Sequence, residues 1–401
     1  MDVIIIGAGA AGMAASIFAA GNGHKVTVFE RNDRSGRKLS ITGKGRCNLC
    51  NNCTKEEFFL NIPVNPRFMY SSYNSFDKDD TMRFFEEECG VPLKTERGSR
   101  VFPVSDKAAD IVSALERKMR EANVRVIRER VKELIIEDGC VKGVKIHGGS
   151  QYFADKVIVA TGGMSYPKTG STGDGYKFAV QAGHTIIGPK PSLVPLETKE
   201  SWVKEAMGLS LRNVRLTLFD TKGKTLYSEQ GEMLFTHFGV SGPLVLSASA
   251  HIKGECRLSI DLKPALDEKT LDNRILRDLG EFSNRELGNS LSKLLPKSLI
   301  PVVIRLAGLD GEMKSNSITR EQRRALLSVI KGLPLNIKGF RPIDEAIITS
   351  GGVSVREIDP KTMESKLCRG LFFAGEVIDV NAYTGGFNLQ IAFSTAHAAA
   401  V

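Results

Sequence analysis

Hydrophobic residues at the start of the chain are continuous rather than alternating. Residues 3–6 are all β-branched, the stretch from Val3 to Gly21 contains no charged residue, and a second apolar run follows at residues 25–29. Strands that are buried on both faces of a parallel sheet produce such runs, whereas half-exposed strands alternate. The pattern therefore predicts a strand at Val3–Ile6, an Ala-rich helix and a second strand at Lys25–Phe29.

The period of the hydrophobic pattern changes twice further along the chain. Residues 192–262 contain short strand-like segments separated by turns, which indicates a small β-barrel, and residues 267–330 place apolar residues at helical spacing. A further buried strand is expected at Lys156–Ala160. These periods predict an α/β fold, in which a discontinuous Rossmann-type domain carries an inserted β-barrel that itself carries a helical insertion. The predicted ranges are 1–191 and 359–401 for the Rossmann domain, 192–263 and 333–358 for the barrel, and 264–332 for the helical insertion.

The turn after the first strand has the spacing of a dinucleotide-binding motif. Gly7, Gly9 and Gly12 form G-x-G-x-x-G, and Glu30 ends the second strand. Gly7 allows the tight turn, Gly9 lets backbone N–H groups approach a pyrophosphate, and Gly12 lets helix and strand pack closely. The helix N-terminus attracts phosphate, and Glu30 can accept hydrogen bonds from ribose hydroxyls. A free ribose suits FAD or NAD better than NADP.

Composition and charge narrow the class of protein. The chain has 401 residues, of which 42% are hydrophobic and 25% charged, as in ordinary globular proteins of two or three domains. Asp2 stands where a signal peptide would be basic, and no other long apolar run occurs. We therefore expect a cytoplasmic protein without a membrane span. The net charge of +9 is scattered along the chain, so nucleic acid is not the expected partner, and a small-molecule substrate is.

Three of the seven cysteines suggest a metal site. The stretch GKGRCNLCNNC places Cys47, Cys50 and Cys53 at three-residue intervals. A ferredoxin-type run would continue with a cysteine at position 57, where the chain has glutamate, and a zinc site would need a distant ligand such as Cys89. A redox-active thiol pair, with its pKa lowered by the basic residues of the same stretch, is a second alternative.

The C-terminal stretch LFFAGEVIDVNAYTGGFNLQIA resembles the second flavin motif of two-dinucleotide-fold flavoproteins. It contains a strand, an acidic turn with Glu376 and Asp379, a glycine pair and a helix from about Asn388. In that motif the acidic turn reaches the ribityl and phosphate region of FAD. The helix points its N-terminus at the pyrimidine ring of the flavin, where its dipole would stabilise the anionic reduced form. The resemblance therefore implies FAD as the bound dinucleotide.

Three more stretches extend the resemblance over nearly the whole chain: GRKLSITGKGRCN, MLFTHFGVSGP and TSGGVSVREIDPKTMESK. Together with the C-terminal motif they resemble a bacterial family of three-domain NAD(P)/FAD-dependent oxidoreductases. This family includes aminoacetone-oxidase-like enzymes and reductases of unsaturated 3-oxo bile acids. Its usual loop pattern is Gly-Arg-Cys-Asn followed by an aliphatic residue and Thr-Asn, so Cys47 belongs to the flavin loop and Cys50 replaces the threonine.

The resemblance also implies which residues contact FAD. Arg37 and Lys38 would face the diphosphate or a flavin carbonyl, and the Val131 backbone would meet the adenine. No metal ligand is expected, and no second G-x-G-x-x-G motif offers a separate NAD(P)H site. The full set of expected cofactor-binding residues is Gly7, Gly9, Ala11, Gly12, Glu30, Arg31, Arg37, Lys38, Gly43, Arg46, Cys47, Asn48, Val131, Gly162, Gly375, Glu376, Asp379, Gly386, Asn388 and Leu389.

Two side chains are candidate catalytic acids, His237 in FTHFGVSGP and Tyr383 beside the second glycine pair, with structural roles as the alternative for both. The resemblance implies an FAD-dependent oxidoreductase in which transiently bound NAD(P)H supplies electrons. The expected substrate is a C=C bond conjugated to a ketone, as in an unsaturated 3-oxo bile acid. The alternatives are an aminoacetone-type amine oxidase that produces peroxide, an FAD-dependent tRNA-modifying protein, and a flavin-binding redox sensor that uses the cysteines.

Overall fold

The computed structural model describes residues 1–401 and divides the chain into two compact units. The first, called the Rossmann unit, comprises Met1–Ser192 and Ile343–Val401, and the second, called the barrel unit, comprises Leu193–Pro342. None of their helices combines the length and apolar character that a bilayer-crossing segment requires.

A parallel sheet forms the centre of the Rossmann unit. Its strands are β1 (Asp2–Ile6), β2 (Lys25–Phe29), β6 (Arg125–Ile127), β10 (Lys156–Val159) and β19 (Leu371–Phe373). The order is β19-β10-β1-β2-β6, and all neighbours are parallel. The chain moves outward from β1 to β2 and β6, then returns to β10 on the other side of β1. Ligands of doubly wound sheets bind at such a switch point, beyond the carboxyl ends of the strands.

Helices cover this sheet. They are α1 (Ala10–Gly21), α2 (Thr42–Gly45), α3 (Lys55–Leu60), α4 (Tyr70–Ser75), α5 (Lys78–Arg83), α6 (Ala108–Glu121), α7 (Asp174–Gln181) and α13 (Phe387–Ala400). A π-helical turn at Phe84–Glu88 extends α5. The helix α13 is apolar and Ala-rich, is buried along nearly its whole length, and packs against α1. A helix that is apolar on all sides is stable only in such a buried position.

Three small antiparallel sheets complete the Rossmann unit, in the orders β3-β5-β4, β7-β8-β9 and β11-β18. Their strands are β3 (Cys50–Asn51), β4 (Leu93–Glu96), β5 (Arg100–Pro103), β7 (Val131–Glu137), β8 (Cys140–Ile146), β9 (Gln151–Phe153), β11 (Ile186–Ser192) and β18 (Ile348–Val353). Asp138 and Gly139 both have positive φ and form the turn that connects β7 to β8.

The barrel unit contains a closed barrel of six strands. They are β12 (Leu196–Thr198), β13 (Ser210–Asp220), β14 (Thr225–Phe235), β15 (Gly239–Ser241), β16 (Cys256–Asp261) and β17 (Leu333–Phe340), in the order β12-β15-β14-β13-β16-β17. The helices are α8 (Pro243–Ser249), α9 (Glu268–Glu281), α10 (Leu287–Ser290), α11 (Ile300–Leu306) and α12 (Arg320–Lys331). The predicted α/β fold with an inserted barrel is confirmed.

One predicted range differs from the structure. The sequence assigned residues 333–358 to the closing part of the barrel, but the barrel unit ends at Pro342. Only β17 closes the barrel, whereas β18 pairs with β11 in the Rossmann unit. Gly351 permits this pairing, because a Cβ there would lie 2.6 Å from the carbonyl oxygen of Gly188. The segments of β17 and β18, LPLNIKGF and ITSGGV, are both compatible with a strand, but neither local pattern identifies the strand with which it pairs.

Candidate functional site

A cavity of about 920 Å³ lies in the Rossmann unit at the carboxyl ends of its parallel strands. Its lining combines the β1–α1 turn with the loop and helix N-terminus at Gly385-Gly386, so the two glycine-rich motifs share one cavity. Small-molecule and cofactor sites span about 300–1,000 Å³. The cavity is at the upper end of that range, as a dinucleotide requires.

The β1–α1 turn leaves backbone N–H groups open to the cavity. The helix α1 begins after Gly9 with no side-chain cap and no acidic residue in its first turn. A Cβ at Gly9 would meet no atom within 4 Å, whereas one at Gly12 would overlap the Gly7 carbonyl oxygen. Gly9 therefore leaves space for a ligand, and Gly12 keeps helix and strand in close contact without lining the cavity.

Glu30 is buried at the edge of this turn, with 6% of its surface exposed. One carboxylate oxygen accepts a hydrogen bond of 2.7 Å from the Ala8 N–H, and the other accepts two from Asn32, at 2.8 Å and 2.7 Å. A carboxylate has about four acceptor positions. The position that these three bonds leave is available to a ribose hydroxyl.

The end of the cavity beside Glu30 holds a group of paired charges, in which Arg31 was expected and Arg130 and Asp174 were not. Arg130 donates two hydrogen bonds to Asp174, of 2.9 Å and 2.8 Å, and Arg31 lies 3.2 Å from the same carboxylate. Burial raises the pKa of Asp174, but the bonds from Arg130 and the Arg31 charge lower it more, so the net pKa is below its ordinary value. Val131, expected at the adenine, also lines this end. The signal in the sequence was an acid at the start of α7, directly after GSTG.

Lys38 and Arg37, both expected at the diphosphate, have different partners. Lys38 donates 2.6 Å hydrogen bonds to Ser165 and Glu376, and Glu376 also accepts 2.8 Å from the Thr349 N–H. Arg37 donates to the Asn32 side chain at 3.2 Å and has a carboxylate no closer than 4.0 Å. Lys38 therefore orders the acidic turn, and the charge of Arg37 is the less compensated of the two.

The α13 end of the cavity is defined as the part lined by residues 41–44, 46, 48, 100, 102, 383–386, 388 and 389. Asn388 lines it, yet its amide is bonded to the loop before it, accepting from the Ala382 N–H at 2.9 Å and donating to the Ala382 and Tyr383 carbonyls. Gly386 has a φ of 102°, and a Cβ there would overlap the Cys50 carbonyl. Asn388 and Gly386 therefore position the start of α13.

Two buried polar atoms of the cavity lining have no hydrogen-bond partner. They are Asn48 Oδ1, at the α13 end, and Thr161 Oγ1, in the turn after β10. Buried polar groups are nearly always bonded, so such atoms point to a missing ligand. With the open N-termini of α1 and α13 and the carboxylate of Glu30, they give a set of donors and acceptors that fits FAD.

Tyr383 and seventeen of the twenty expected cofactor residues line this cavity. The seventeen are Gly7, Gly9, Ala11, Glu30, Arg31, Arg37, Lys38, Gly43, Arg46, Asn48, Val131, Gly162, Gly375, Glu376, Gly386, Asn388 and Leu389.

 These seventeen residues include Ala11, the neighbour of Gly12. The other three expected residues, Gly12, Cys47 and Asp379, lie outside the lining.

Cys47 and Asp379 are buried in loops beside the cavity rather than exposed to it. Asp379 accepts a 3.0 Å hydrogen bond from the Asn65 amide, and burial raises the pKa of its carboxyl. Cys47 has no exposed surface, and burial raises the pKa of its thiol to about 12. The expectation of direct cofactor contact is therefore corrected for both, because their side chains are held within the loops that shape the cavity.

The alternative of a redox-active thiol pair requires a thiol pKa lowered by nearby basic residues, and the structure gives the opposite direction. Arg46, expected to lower a nearby thiol pKa, is paired with Asp106 at 2.7 Å and with Glu96. Burial raises the pKa of Cys50 and of Cys53. All seven cysteines are free thiols, and no group of three or more His, Cys, Asp or Glu side chains is arranged to hold a metal ion.

The two candidate acids occupy different units. Tyr383 lines the α13 end of the cavity, and its backbone N–H donates to the Asn61 carbonyl at 2.9 Å. His237 belongs to the barrel unit, where it is exposed in the turn between β14 and β15 with its ring against Phe238. Catalysis by either side chain stays a prediction.

Sequence reasoning missed three further residues of the α13 end, Lys44, Arg100 and Phe102. Arg100 and Phe102 lie on β5, which the cavity reaches because Asn51 of β3 donates a 2.9 Å hydrogen bond to the Gly385 carbonyl. These residues are about 280 positions from Gly385 along the chain, so only the pairing of small strands brings them together.

Known proteins resemble the chain over its full length. The family model of the HI0933-like protein Rossmann domain matches residues 1–401. A 3-dehydro-bile acid delta(4,6)-reductase of Clostridium scindens is 32% identical, with 98% of this chain and 97% of the relative covered. Ribosomal RNA dihydrouridine synthases of Haemophilus influenzae and Escherichia coli are also 32% identical, with 99% and 100% of this chain and 97% of each relative covered.

Among solved structures, a 3-ketosteroid delta1-dehydrogenase from Sterolibacterium denitrificans has a TM-score of 0.50 and 14% identity, and covers 100% of this chain and 98% of its own. This likeness concerns the fold alone. The family model and the relatives, by contrast, agree with the resemblance that the motifs predicted. The chain belongs to the HI0933-like Rossmann family, a family of flavin-dependent oxidoreductases.

Proposed function

We propose that this protein is an FAD-dependent reductase that uses NAD(P)H to reduce a C=C bond conjugated to a carbonyl group. The observation that carries the proposal is the meeting of two uncapped helix N-termini, those of α1 and α13, at one cavity. Bound there, FAD would supply hydride to the substrate after reduction by the nicotinamide. The residues of the cavity bind and orient both partners of that transfer.

The reaction class rests on what the relatives are named for. A delta(4,6)-reductase acting on a 3-dehydro steroid saturates C=C bonds conjugated to the 3-oxo group, and a dihydrouridine synthase saturates the uracil C5=C6 bond, which is conjugated to a carbonyl. In each case one carbon gains a hydride, the neighbouring carbon gains a proton, and the nicotinamide is oxidised. Both names therefore describe one chemistry on two substrates.

The protein's own groups have separate roles in this proposal. The N–H groups at the start of α1 bind the diphosphate, and Glu30 holds the ribose. Asn48 Oδ1, a buried acceptor without a protein partner, would accept a hydrogen bond from the bound cofactor. The positive end of α13 stabilises negative charge at the same end of the cavity. Tyr383 is the candidate donor of the proton, because its side chain belongs to that end.

The first candidate substrate is a small ketone-conjugated alkene such as an unsaturated 3-oxo bile acid. The second is a uridine in RNA, and one observation favours it. The barrel unit contains 23 Lys and Arg and 17 Asp and Glu, a difference of +6 in a chain whose net charge is +9. An excess of positive charge in one unit favours the binding of phosphate-rich partners such as RNA.

The test begins with an anaerobic visible spectrum of the purified protein, before and after NADH or NADPH is added. We expect a two-peaked flavin spectrum that is bleached by one of the nicotinamides. The reduced protein is then mixed with a 3-oxo-4,6-diene bile acid or with ribosomal RNA that lacks dihydrouridine, and products are identified by mass spectrometry. A protein without flavin would contradict the proposal. Flavin that resists nicotinamide but is reduced by aminoacetone, with peroxide formed in air, would favour the amine oxidase instead.

A further inference from the structure

Arg46, at the α13 end of the cavity, belongs to a group of four charged side chains that neutralise one another. Lys94 lies 2.7 Å from Asp106 and 3.5 Å from Glu96, and Arg46 bonds to the same two carboxylates. These contacts lower the pKa of Glu96 and of Asp106, chiefly through hydrogen bonds from Arg46 and Lys94 respectively. Two cations and two carboxylates form a closed group with no net charge.

Lys44 and Arg100 are the cations that this group leaves uncompensated. Both are exposed, both line the cavity, and neither has a carboxylate within 4.0 Å. Arg100 donates from Nε to the Arg97 carbonyl at 3.0 Å, which leaves its two terminal nitrogens without a protein acceptor. A guanidinium with a free fork of N–H groups is suited to carboxylate or phosphate oxygens.

The backbone around Lys44 is unusual for a residue with a side chain. Lys44 has φ 59° and ψ 41°, between two glycines that also have positive φ, Gly43 and Gly45. The left-handed region is unfavourable for residues other than glycine, and such residues are concentrated at binding and catalytic sites. A lysine in this position is consistent with a functional role for its ammonium group.

Phe102 lines the same cavity as Lys44 and Arg100. Its ring lies 5.9 Å from the Arg100 guanidinium and 4.1 Å from that of Arg46. The ring also approaches the residue before Lys44, since a Cβ at Gly43 would lie 3.4 Å from it. Phe102 therefore lies near Arg100 and near the loop that carries Lys44.

The strand that carries Arg100 is fixed to the start of α13. Asn51 is the residue opposite Arg100 in the β3–β5 pair, and its amide donates to the Gly385 carbonyl at 2.9 Å and to the Gly98 carbonyl at 3.0 Å. The two free cations and the positive end of the helix dipole therefore act on the same end of the cavity.

We propose that Lys44 and Arg100 form an anion-binding pair that holds a carboxylate or phosphate group of the substrate while its C=C bond lies at the α13 end. The proposal rests on the proposed function and adds to it a requirement for an acidic group on the substrate. Two uncompensated cations that line one cavity disfavour each other's charge, and an anion bound near both offsets that repulsion. The positive charge of the pair disfavours the binding of a protonated amine, so an aminoacetone-type substrate would bind poorly beside it.

The test compares acidic substrates with neutral analogues in the flavin-loaded protein. One pair is the 3-oxo-4,6-diene bile acid and its methyl ester, and the other is uridine 5′-monophosphate and uridine. The variants are Lys44→Gln, Arg100→Gln and the double variant. Lys361→Gln and Arg120→Gln remove exposed cations outside the cavity lining and are the matched controls.

We expect KM for the acidic member of one pair to rise about tenfold in each single variant, with KM and kcat for the neutral member unchanged. The pair of compounds that shows this effect identifies the source of the anion as a carboxylate or a phosphate. Raising the salt concentration should weaken the preference of the native protein for the acid and have no effect in the double variant.

Equal losses for acid and neutral analogue would overturn the proposal, as would variants with unchanged preference. The proposal would also be overturned if the double variant shifted the flavin midpoint potential without changing the preference for the acid over its neutral analogue. Lys44 and Arg100 would then act on the reduced flavin and not on the substrate. Binding of each compound to the oxidised protein is measured from the change that the compound causes in the flavin spectrum. This measurement separates the anion-site proposal from the reductase proposal. If no compound is reduced but the acid still binds more tightly than its ester and the double variant abolishes this difference, the reductase proposal fails and the anion site stands.

Discussion

At the scale of single residues, the Rossmann unit shows how one carboxylate organises a nucleotide site before a ligand is bound. Glu30 is held between the N–H of Ala8 in the glycine-rich turn and the side chain and N–H of Asn32. Its free acceptor position is therefore fixed in space. A preorganised acceptor loses little conformational freedom on binding, so it contributes more to affinity than a mobile one.

The first prediction concerns this carboxylate. Glu30→Gln replaces an acceptor oxygen with an NH₂ donor that faces the N–H groups of Ala8 or Asn32. We expect the Kd of the apoprotein for FAD to rise about tenfold or more, measured by the quenching of flavin fluorescence on binding. Glu137→Gln, at an exposed carboxylate on β7, is the control and should bind as the native protein does. An unchanged Kd in Glu30→Gln would show that Glu30 has no part in binding the cofactor.

The second prediction concerns Cys47. Burial raises the pKa of its thiol to about 12, so at pH 8 only about one molecule in ten thousand carries the reactive thiolate. We expect iodoacetamide to leave Cys47 unmodified in the native protein and to modify it after unfolding in urea, with each site followed by peptide mass spectrometry. Cys140, which is partly exposed, is the internal control for reagent access. Rapid modification of native Cys47 would contradict this prediction and would support the alternative of a redox sensor that uses the cysteines.

At the scale of elements, two helix N-termini add backbone N–H groups to the charged side chains that line the cavity. The helices α1 and α13 both begin after a glycine, have no side-chain cap and contain no acidic residue in the first turn. A cap would satisfy their N–H groups and close the site to anions. The absence of capping residues at these two helices contrasts with α3, α5 and α12, which each begin with a full capping box.

The third prediction compares two glycines of one helix. A Cβ at Gly12 would overlap the Gly7 carbonyl oxygen, whereas one at Gly21 would meet nothing within 4 Å. Gly12→Ala should lower the free energy of unfolding by about 1–3 kcal/mol and weaken FAD binding, because α1 must move away from the β1 turn. Gly21→Ala should leave binding unchanged and stabilise the protein by up to about 1 kcal/mol.

Urea unfolding followed by circular dichroism measures both effects of this pair. A Gly12→Ala variant as stable as the Gly21→Ala variant would mean that α1 does not depend on its close contact with the turn.

At the scale of the whole molecule, one buried and two partly buried histidines should make its stability depend on pH in mild acid. Burial lowers the pKa of His184, His251 and His397, against smaller opposing contributions from nearby carboxylates. They lie in both units, so this property belongs to the molecule and not to the cavity. His184 is the most specific case, with Nε2 2.6 Å from the Ser365 hydroxyl and Nδ1 3.3 Å from Glu357.

The fourth prediction follows from the sign of these shifts. An unfolded histidine has a pKa of about 6.5, and the folded pKa of His184 is lower, so the unfolded chain binds more protons between the two values. The stabilising contribution of neutral His184 is then complete above about pH 6.5 and is lost as the pH falls through the folded pKa. We expect the Tm of the native protein to fall between pH 7 and pH 5.

His184→Gln and His147→Gln provide the comparison for that fall in Tm. The first should reduce the pH dependence, whereas the second, at an exposed histidine, should retain the native profile. A native Tm that is constant over this range would contradict the prediction.

The sequence by itself determined the Rossmann fold and the end of the cavity at β1. Strand, turn, helix and acid follow one another within about thirty residues from Val3 to Glu30, and each has a local physical signature. The continuous apolar runs reflect burial on both faces, and the glycine spacing reflects backbone geometry that no other residue tolerates. The C-terminal motif was recognisable for the same reason, because its acidic turn, glycine pair and helix are contiguous in the chain.

Only the tertiary structure decided which distant residues share the cavity and which side chains remain free to bind. Lys44 and Arg46 are two positions apart and equally basic, yet Arg46 is neutralised by two carboxylates from the β4–β5 region and Lys44 is not. Likewise β18 pairs with β11 and not with the barrel. Hydrophobic period and residue type are local properties, whereas charge compensation, burial and strand partnership depend on contacts between segments far apart in sequence, so they exist only in the folded chain.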